Sequence, residues 1–305
     1  MSYRCSVPNP THPRVIAVVG PTAAGKSALG VALAHDLDGE IVNADSMQLY
    51  RGMDIGTAKM ALDEREGVPH HVLDIWDVTE PASVAEYQRL ARAAVDDIAA
   101  RGRTPLLVGG SGLYLRAVLE DFDFPGTDAA VRQRLEDEMS RGVPLFDRLR
   151  ELDPAAAAKI LPSNGRRIVR ALEVIELTGR PFTASLPSPT PVYPAVQIGV
   201  DRDDVDSRIE QRVDLMWAAG LLGEVTALER QGLRDGRTAG RALGYQQALA
   251  QLDGTLTEAE AREQTTRATR RFVRRQRSWF RRDPRIHWFD GSSGSLLADA
   301  LAVTR

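Results

Sequence analysis

Cysteine is almost missing from this chain. Cys5 is the only one in 305 residues, which excludes an intramolecular disulfide and any Cys-rich zinc module and suits a reducing compartment. Lysine is nearly as scarce, at 26, 59 and 159 only, so arginine carries almost all the positive charge. The five scattered histidines offer no zinc constellation. The adjacent pair His70 and His71 would face opposite sides of a strand, which favours structural hydrogen bonding over a shared metal. No apolar run approaches the roughly 20 residues that span a bilayer, and the N-terminal tail lacks an apolar signal core. The expectation is a cytoplasmic protein with no membrane attachment, working as a monomer. No internal repeat or low-complexity tract is visible. What remains is the composition of a soluble globular protein, 43% hydrophobic and 27% charged, with length for one large domain with an insertion or for two domains.

The densest signal lies at 20–27, GPTAAGKS, which fits G-x-x-x-x-G-K-[ST]. It follows VIAVV at 15–19, an apolar run typical of a buried parallel strand. In such a loop the backbone N–H groups converge on phosphate oxygens. Gly20, Pro21, Thr22, Ala23, Ala24 and Gly25 form the cradle, Lys26 neutralises charge between phosphates, and the Ser27 hydroxyl is offered to Mg²⁺. A helix predicted over 27–37 aims its positive N-terminus at the same anion. The chain is therefore expected to grip a polyphosphate.

Further strands are predicted at 40–44, within 70–75 and at 104–108, with an amphipathic helix over 84–101. Strands alternating with helices imply a doubly wound parallel sheet, whose ligands gather beyond the C-terminal strand ends. Three segments then point to one cleft: the phosphate loop, Asp45-Ser46-Met47-Gln48, and the Gly109 to Gly112 turn that holds Ser111. From about 128 to 178 the pattern is helical, with candidates at 131–140, 145–152, 155–161 and 166–178. The Pro- and Ser-rich stretch 181–194 reads as a connection, and 195–200 as a strand rejoining the sheet. The expected fold class is α/β, with a phosphate-loop core at 13–122 and 193–305 and a helical insertion at 123–192. Helices over 204–231, 246–252 and 257–282 would complete an Arg-rich C-terminal region.

Asp45 follows a strand and precedes a serine, so it could bind Mg²⁺, accept a proton or cap a helix. Ser111 sits among glycines that could serve backbone geometry alone. Between 266 and 285 nine arginines face one acid, Asp283. Helical spacing lines Arg267, Arg270, Arg271, Arg274, Arg277 and Arg281 along one flank, with Phe272, Trp279 and Phe280 interleaved. Guanidinium groups fork onto phosphates and rings stack on unpaired bases, which suits RNA. The alternative is a solvated basic face packed down by Phe272, Val273 and Trp279.

Taken together, these residues resemble the tRNA dimethylallyltransferase family, also called isopentenyl-tRNA transferases, from about Val15 to Phe289. Its marks are GPTAAGKS at 20–27, DSMQLYRGMDIGTAK at 45–59, GVPHHVLDI at 67–75, GGSGLY at 109–114 and RRIVRALEV at 166–174. Further along are RIEQRVDLMWAAGLLGEV at 208–225, ALGYQQ at 242–247 and TRRFVRRQRSWFRRD at 269–283. The family usually has Thr at Ser111, Lys at Arg274 and Thr at Ser278; each substitution keeps the hydroxyl or the charge. The lack of a Cys/His tail resembles the bacterial form.

The resemblance implies transfer of a dimethylallyl group from its diphosphate to N6 of the adenosine just 3′ of a tRNA anticodon. It implies Mg²⁺ as cofactor, held by Ser27 and Asp45, and two partners, dimethylallyl diphosphate and the tRNA anticodon stem-loop. Asp45 would be the general base, with Lys26, Ser111 and Arg212 completing the catalytic set. A flipped adenine would be gripped by Asp45, Ser46, Met47, Gln48 and Ser111. By the same resemblance Arg132, Arg166, Arg167, Arg170, Arg241, Gly244, Tyr245, Gln246, Arg274, Arg275, Gln276, Arg277, Trp279 and Arg281 would hold the stem-loop. Two other enzyme classes share the phosphate loop: small-molecule kinases, which have little use for a basic arm, and isopentenyltransferases acting on free adenylate. A non-catalytic RNA binder is the remaining alternative, against which Lys26, Ser27 and Asp45 all stand intact.

Overall fold

A computed structural model describes residues 12–122, 124–182 and 190–304; Cys5 and half of the expected connection at 181–194 lie outside them. The chain divides into two compact units, one holding residues through Leu119 and again from Val192 onward, the other Glu120–Pro191.

The first unit is built on a six-stranded sheet. Its strands are β1 (Val15–Val19), β2 (Gly39–Asn43), β3 (His70–His71), β4 (Thr104–Gly109), β5 (Ala195–Asp201) and β6 (Ile286–Asp290). They lie in the order β3-β2-β4-β1-β5-β6, every pair parallel. Side chains alternate across a strand, so β1 feeds two cores. Val15, Ala17 and Val19 pack with Val42 and Leu107 on one face, Ile16 and Val18 with Leu106, Ile198 and Val200 on the other. Helix α1 (Lys26–Asp36) covers the second face through Leu29 and Leu33. Helices α2 (Val84–Ala100) and α3 (Gly112–Leu119) supply Tyr87, Val95, Leu115 and Val118 to the first.

The second unit has its own helices, α4 (Ala129–Ser140), α5 (Leu145–Leu152), α6 (Pro154–Ala157) and α7 (Gly165–Thr178). Leu135, Leu145, Leu149, Ile168 and Leu172 form its core, and side chains of Asp128 and Asn164 cap α4 and α7.

After β5 come α8 (Val205–Ala218), α9 (Leu221–Glu229), α10 (Tyr245–Leu252), α11 (Glu258–Phe280) and α12 (Leu296–Thr304). A reciprocal Thr257–Glu260 capping box starts α11. Among the described residues no helix is long and apolar enough to cross a membrane.

Some expectations need correcting. The extended run 70–75 stops after two residues, because Val72 and Asp74 turn into the left-handed region at φ 59° and 55°. The helix expected at 155–161 is the single turn α6, and 204–231 breaks in two at Ala219 and Gly220. Strand β6 and helix α12 were not foreseen. On β6 only Ile286 is buried, which gives its sequence no apolar run to betray it.

Candidate active site

The phosphate loop leaves β1 through Gly20, whose φ of +139° and 2.1 Å clearance between a would-be Cβ and the Val200 carbonyl exclude any side chain. The loop ends at Gly25, which gives α1 no side-chain cap, so the first-turn N–H groups of that helix stay open. Arg208 of α8 holds the outer rim by donating from Nε to Ala23 O at 2.9 Å. Lys26 folds back and donates from Nζ to Pro21 O at 2.7 Å. Burial lowers its pKa to about 8; Asp45 and Asp201 nearby favour the charged form, and Arg212 disfavours it.

Asp45 and Ser111 meet beside this loop. Gly109 leaves no room for a Cβ, which would lie 2.2 Å from Ala44, and this lets β4 run tightly past the end of β2. Ser111 N–H then donates to Ala44 O at 3.2 Å, while Ser46 N–H donates to Ser111 Oγ at 3.1 Å. The Ser111 hydroxyl is 3.2 Å from Ser46 Oγ. Asn43 braces the turn, accepting from Asp45 N–H at 3.0 Å and donating to Asp45 O and Val72 O, and Tyr87 OH donates to Asn43 O from below. Asp45 Oδ1 accepts from Met47 N–H at 3.0 Å. Its other oxygen has no hydrogen-bond partner among the described residues, so one carboxylate oxygen is held in place and one is available. Arg212, half-buried on α8, likewise makes no hydrogen bond or ion pair among the described residues. Burial and then Arg208 disfavour its charge, and Asp45 favours it. A guanidinium still charged at neutral pH and largely out of water is a site for an anion.

Two kinds of comparison bear on this site. Residues 48–283 match the IPP transferase family. The chain belongs to that family. It is 72% identical over 295 residues to a tRNA dimethylallyltransferase of Salinispora arenicola, covering 95% of this chain and 86% of that one. It is 67% identical over 291 residues to one from Streptomyces avermitilis, covering 94% and 93%. Among solved structures, a tRNA isopentenylpyrophosphate transferase of Bacillus halodurans shares 42% identity at a TM-score of 0.70, covering 95% of each chain. A eukaryotic dimethylallyltransferase described as acting on tRNA aligns at a TM-score of 0.82 with 27% identity, covering 95% of this chain and 78% of that one.

Within this IPP transferase several residues expected to touch RNA turn inward. Tyr245 is fully buried and donates its hydroxyl to Glu224 at 2.5 Å, the same carboxylate that accepts N–H bonds from Asp54, Ile55 and Gly56. Direct RNA contact by its side chain is thus replaced by a role in holding the 54–56 loop. Gly244, just before it, is buried as well. Gln276 is 5% exposed and bonds to the phosphate loop, so it too is corrected from RNA contact. Gln48 donates to Thr57 O and Ala58 O. Arg277 forks onto Asp201 at 2.7 and 2.9 Å, and Arg132 and Arg170 converge on the fully buried Glu173 of the second unit at 2.7 and 2.9 Å.

The arginine flank is correspondingly smaller than its spacing implied, since Arg267 pairs with Glu263 and Arg270 with Glu210. Arg271, Arg274 and Arg282 have no ion pair among the described residues, and Arg275 lies 5.6 Å above the Phe272 ring. Arg166, Arg167, Arg241, Gln246 and Arg281 are exposed, and Trp279 is half-exposed over Gly112. Sequence reasoning missed Asp201, Arg208 and Glu224. Asp201 had a signal, since like Asp45 it is an acid at the C-terminal end of a predicted strand. His70 and His71 hydrogen-bond to Val68 O at 2.9 Å and Glu40 at 2.6 Å.

Proposed function

We propose that this chain is a tRNA dimethylallyltransferase, moving a dimethylallyl group from dimethylallyl diphosphate to N6 of the adenosine 3′ of the anticodon and releasing diphosphate. The observation that carries the reading is local. A phosphate loop holding Lys26, with the unpaired Arg212 close enough to feel both Lys26 and Asp45, stands beside a carboxylate with one free oxygen.

Breaking the allylic C–O bond leaves both electrons on the diphosphate. Lys26, Arg212 and the open N–H groups of α1 stabilise that growing charge more than they stabilise the intact donor. The N6 lone pair, delocalised into the purine, attacks the allylic carbon, and Asp45 takes the proton released from nitrogen. Ser111, held by Ser46 N–H, keeps its hydroxyl next to Asp45 and positions the amine and the leaving phosphate. A stacked base cannot reach an allylic carbon held inside the cleft, so the adenine enters by flipping out of its stack.

Mg²⁺ fits the residues present. Magnesium takes hard oxygen ligands, usually one or two carboxylates with substrate phosphates and waters, and the exposed Ser27 hydroxyl and the free oxygen of Asp45 are of that kind. When bound, the ion would offset negative charge on the diphosphate.

The anticodon stem-loop would lie against the exposed arginines of α11, chiefly Arg274 and Arg275, with Trp279 and Arg281 close by in the chain and Arg241 and Gln246, before α11, as further candidates. Arg166 and Arg167 of the second unit are the remaining candidates. The deciding experiment treats tRNA with the protein and dimethylallyl diphosphate and analyses its nucleosides by mass. One prenyl unit gained on adenosine supports the reading. Transfer of γ-phosphate from ATP to a metabolite, or equal prenylation of free AMP, overturns it.

A further inference from the structure

We propose that Gln276, on the helix expected to grip RNA, is a positioning residue for the prenyl donor. Its side-chain amide ties the phosphate loop to the β4 turn. The inference rests on the donor-site reading above and extends it to a residue that touches neither the reacting atoms nor the diphosphate.

Gln276 occupies an inward position of α11, on the buried stripe with Ala261, Thr265, Ala268, Val273 and Phe280. A polar amide there needs both halves satisfied. Its Oε1 accepts from Thr22 N–H at 2.9 Å and its Nε2 donates to Gly110 O at 3.0 Å. The two partners lie on the loops that follow β1 and β4, neighbouring strands of the sheet, and each loop carries part of the chemistry. Lys26 and Ser27 open the helix that follows the first, and Ser111 follows Gly110 in the second.

The chemistry of the bridge selects its residue. The Thr22 end needs an acceptor and the Gly110 end needs a donor, so the amide can sit only one way round. Glutamate would keep the first bond and set a carboxylate oxygen against the Gly110 carbonyl. Methionine has the same reach and makes neither bond. The bridge also uses Thr22 N–H, leaving the cradle to the later N–H groups of the loop and the first turn of α1. Thus α11 faces two ways over one helical turn. Arg274 and Arg275 face solvent, while Gln276 fixes the distance between the donor cradle and Ser111.

The test measures inorganic diphosphate affinity by calorimetry, KM for dimethylallyl diphosphate, and tRNA affinity by filter binding, for wild type, Gln276→Met and Gln276→Glu. Thermal melts confirm that each variant is folded. The expected result is a rise of about tenfold in the diphosphate Kd and in the donor KM for both variants, with tRNA affinity within twofold of wild type. The glutamate variant should be the worse of the two, because it adds negative charge near Lys26. Diphosphate binding unchanged or tighter in both variants overturns the inference, as does a loss confined to tRNA affinity, which would make Gln276 an RNA contact. If methionine prevents folding, the near-isosteric glutamate alone decides. Wild type that neither binds diphosphate nor transfers a prenyl group defeats the donor-site reading itself. Wild type that does both alongside unaffected variants defeats only this inference.

Discussion

Lys26 should give donor binding a pH dependence just above neutrality. Its pKa lies at about 8, lowered mainly by burial and further by Arg212, against the opposing pull of Asp45 and Asp201. The free site is then about nine-tenths charged at pH 7, half charged at pH 8 and one-tenth charged at pH 9. A bound diphosphate favours the ammonium and raises the pKa again. The sign follows: below pH 8 the charge is already present and binding is insensitive to pH, whereas above it the complex must take up a proton. Affinity should fall about tenfold between pH 7 and pH 9, or about 1.4 kcal/mol, with uptake of about half a proton per diphosphate at pH 8. Calorimetry with inorganic diphosphate in two buffers of different ionisation enthalpy measures both quantities. Lys26→Arg is the reference, because a guanidinium stays charged across the range and the ligand's own titration is common to both proteins. Parallel pH slopes for wild type and variant would refute the argument.

Three further outcomes are expected. Asp45→Asn keeps the bond from Met47 but removes the base, so prenyl transfer should fall by about 10²-fold or more while tRNA affinity in gel shifts is retained; unchanged turnover takes Asp45 out of the mechanism. Arg274→Gln combined with Arg275→Gln should weaken tRNA binding and flatten its logarithmic salt dependence by about 1 to 2, and equal slopes would return the arm to a purely solvated role. Arg101 and then His71 hold the buried Glu40 carboxyl down to about 2 from 4.5. That stabilisation, at most about 3 kcal/mol, is present above pH 4.5 and lost as pH falls toward 2. Arg101→Ala should therefore move the acid-unfolding midpoint to higher pH by circular dichroism, and an unmoved midpoint means that His71 and Arg103 suffice to hold Glu40.

The parts of the fold legible in the sequence were those where local pattern and burial coincide. β1 is an apolar run buried on both faces and β4 holds one in Leu106, Leu107 and Val108, β2 and β5 keep short buried apolar cores around polar residues such as Asn43 and Gln197, and α2 and α7 carry one apolar face each. β6 was not legible, because its place at the sheet edge leaves most of its residues partly solvated. The site divides the same way. Asp45 and Ser111 sit on loops that immediately follow predicted strands, and Lys26 and Ser27 open the helix that leaves the phosphate loop, so their convergence followed from topology. The arginines did not yield to spacing, because a helical face says which residues share a side and nothing about the acids opposite. Glu210 on α8 and Asp201 at the end of β5 claim Arg270 and Arg277. Gln276 had a readable position, on the stripe with Ala268 and Phe280, that its polarity obscured.

The rarity of lysine has a structural sense that composition alone did not give. Two of the three serve the cleft. Lys26 bends inward onto the phosphate loop, and Lys59, its side chain 3% exposed, places its ammonium on Asp54 and Asp74 at 2.6 Å each and on Tyr50 O at 3.1 Å. Three N–H groups meet three acceptors, which a compact tetrahedral ammonium can do and a planar guanidinium fork cannot. Those contacts fix the 50–59 loop whose other side Glu224 and Tyr245 hold, and that loop runs on from the Asp45 turn. Surface charge in this chain is left to arginine, which pairs laterally with carboxylates or stays free for phosphate. Where a point charge must be held in a closed space, the chain has lysine. The structure thus sets Lys26 and Lys59 apart as held cations, of which the sequence singled out only Lys26, through the phosphate-loop pattern; Lys159, exposed in the second unit, has no such role.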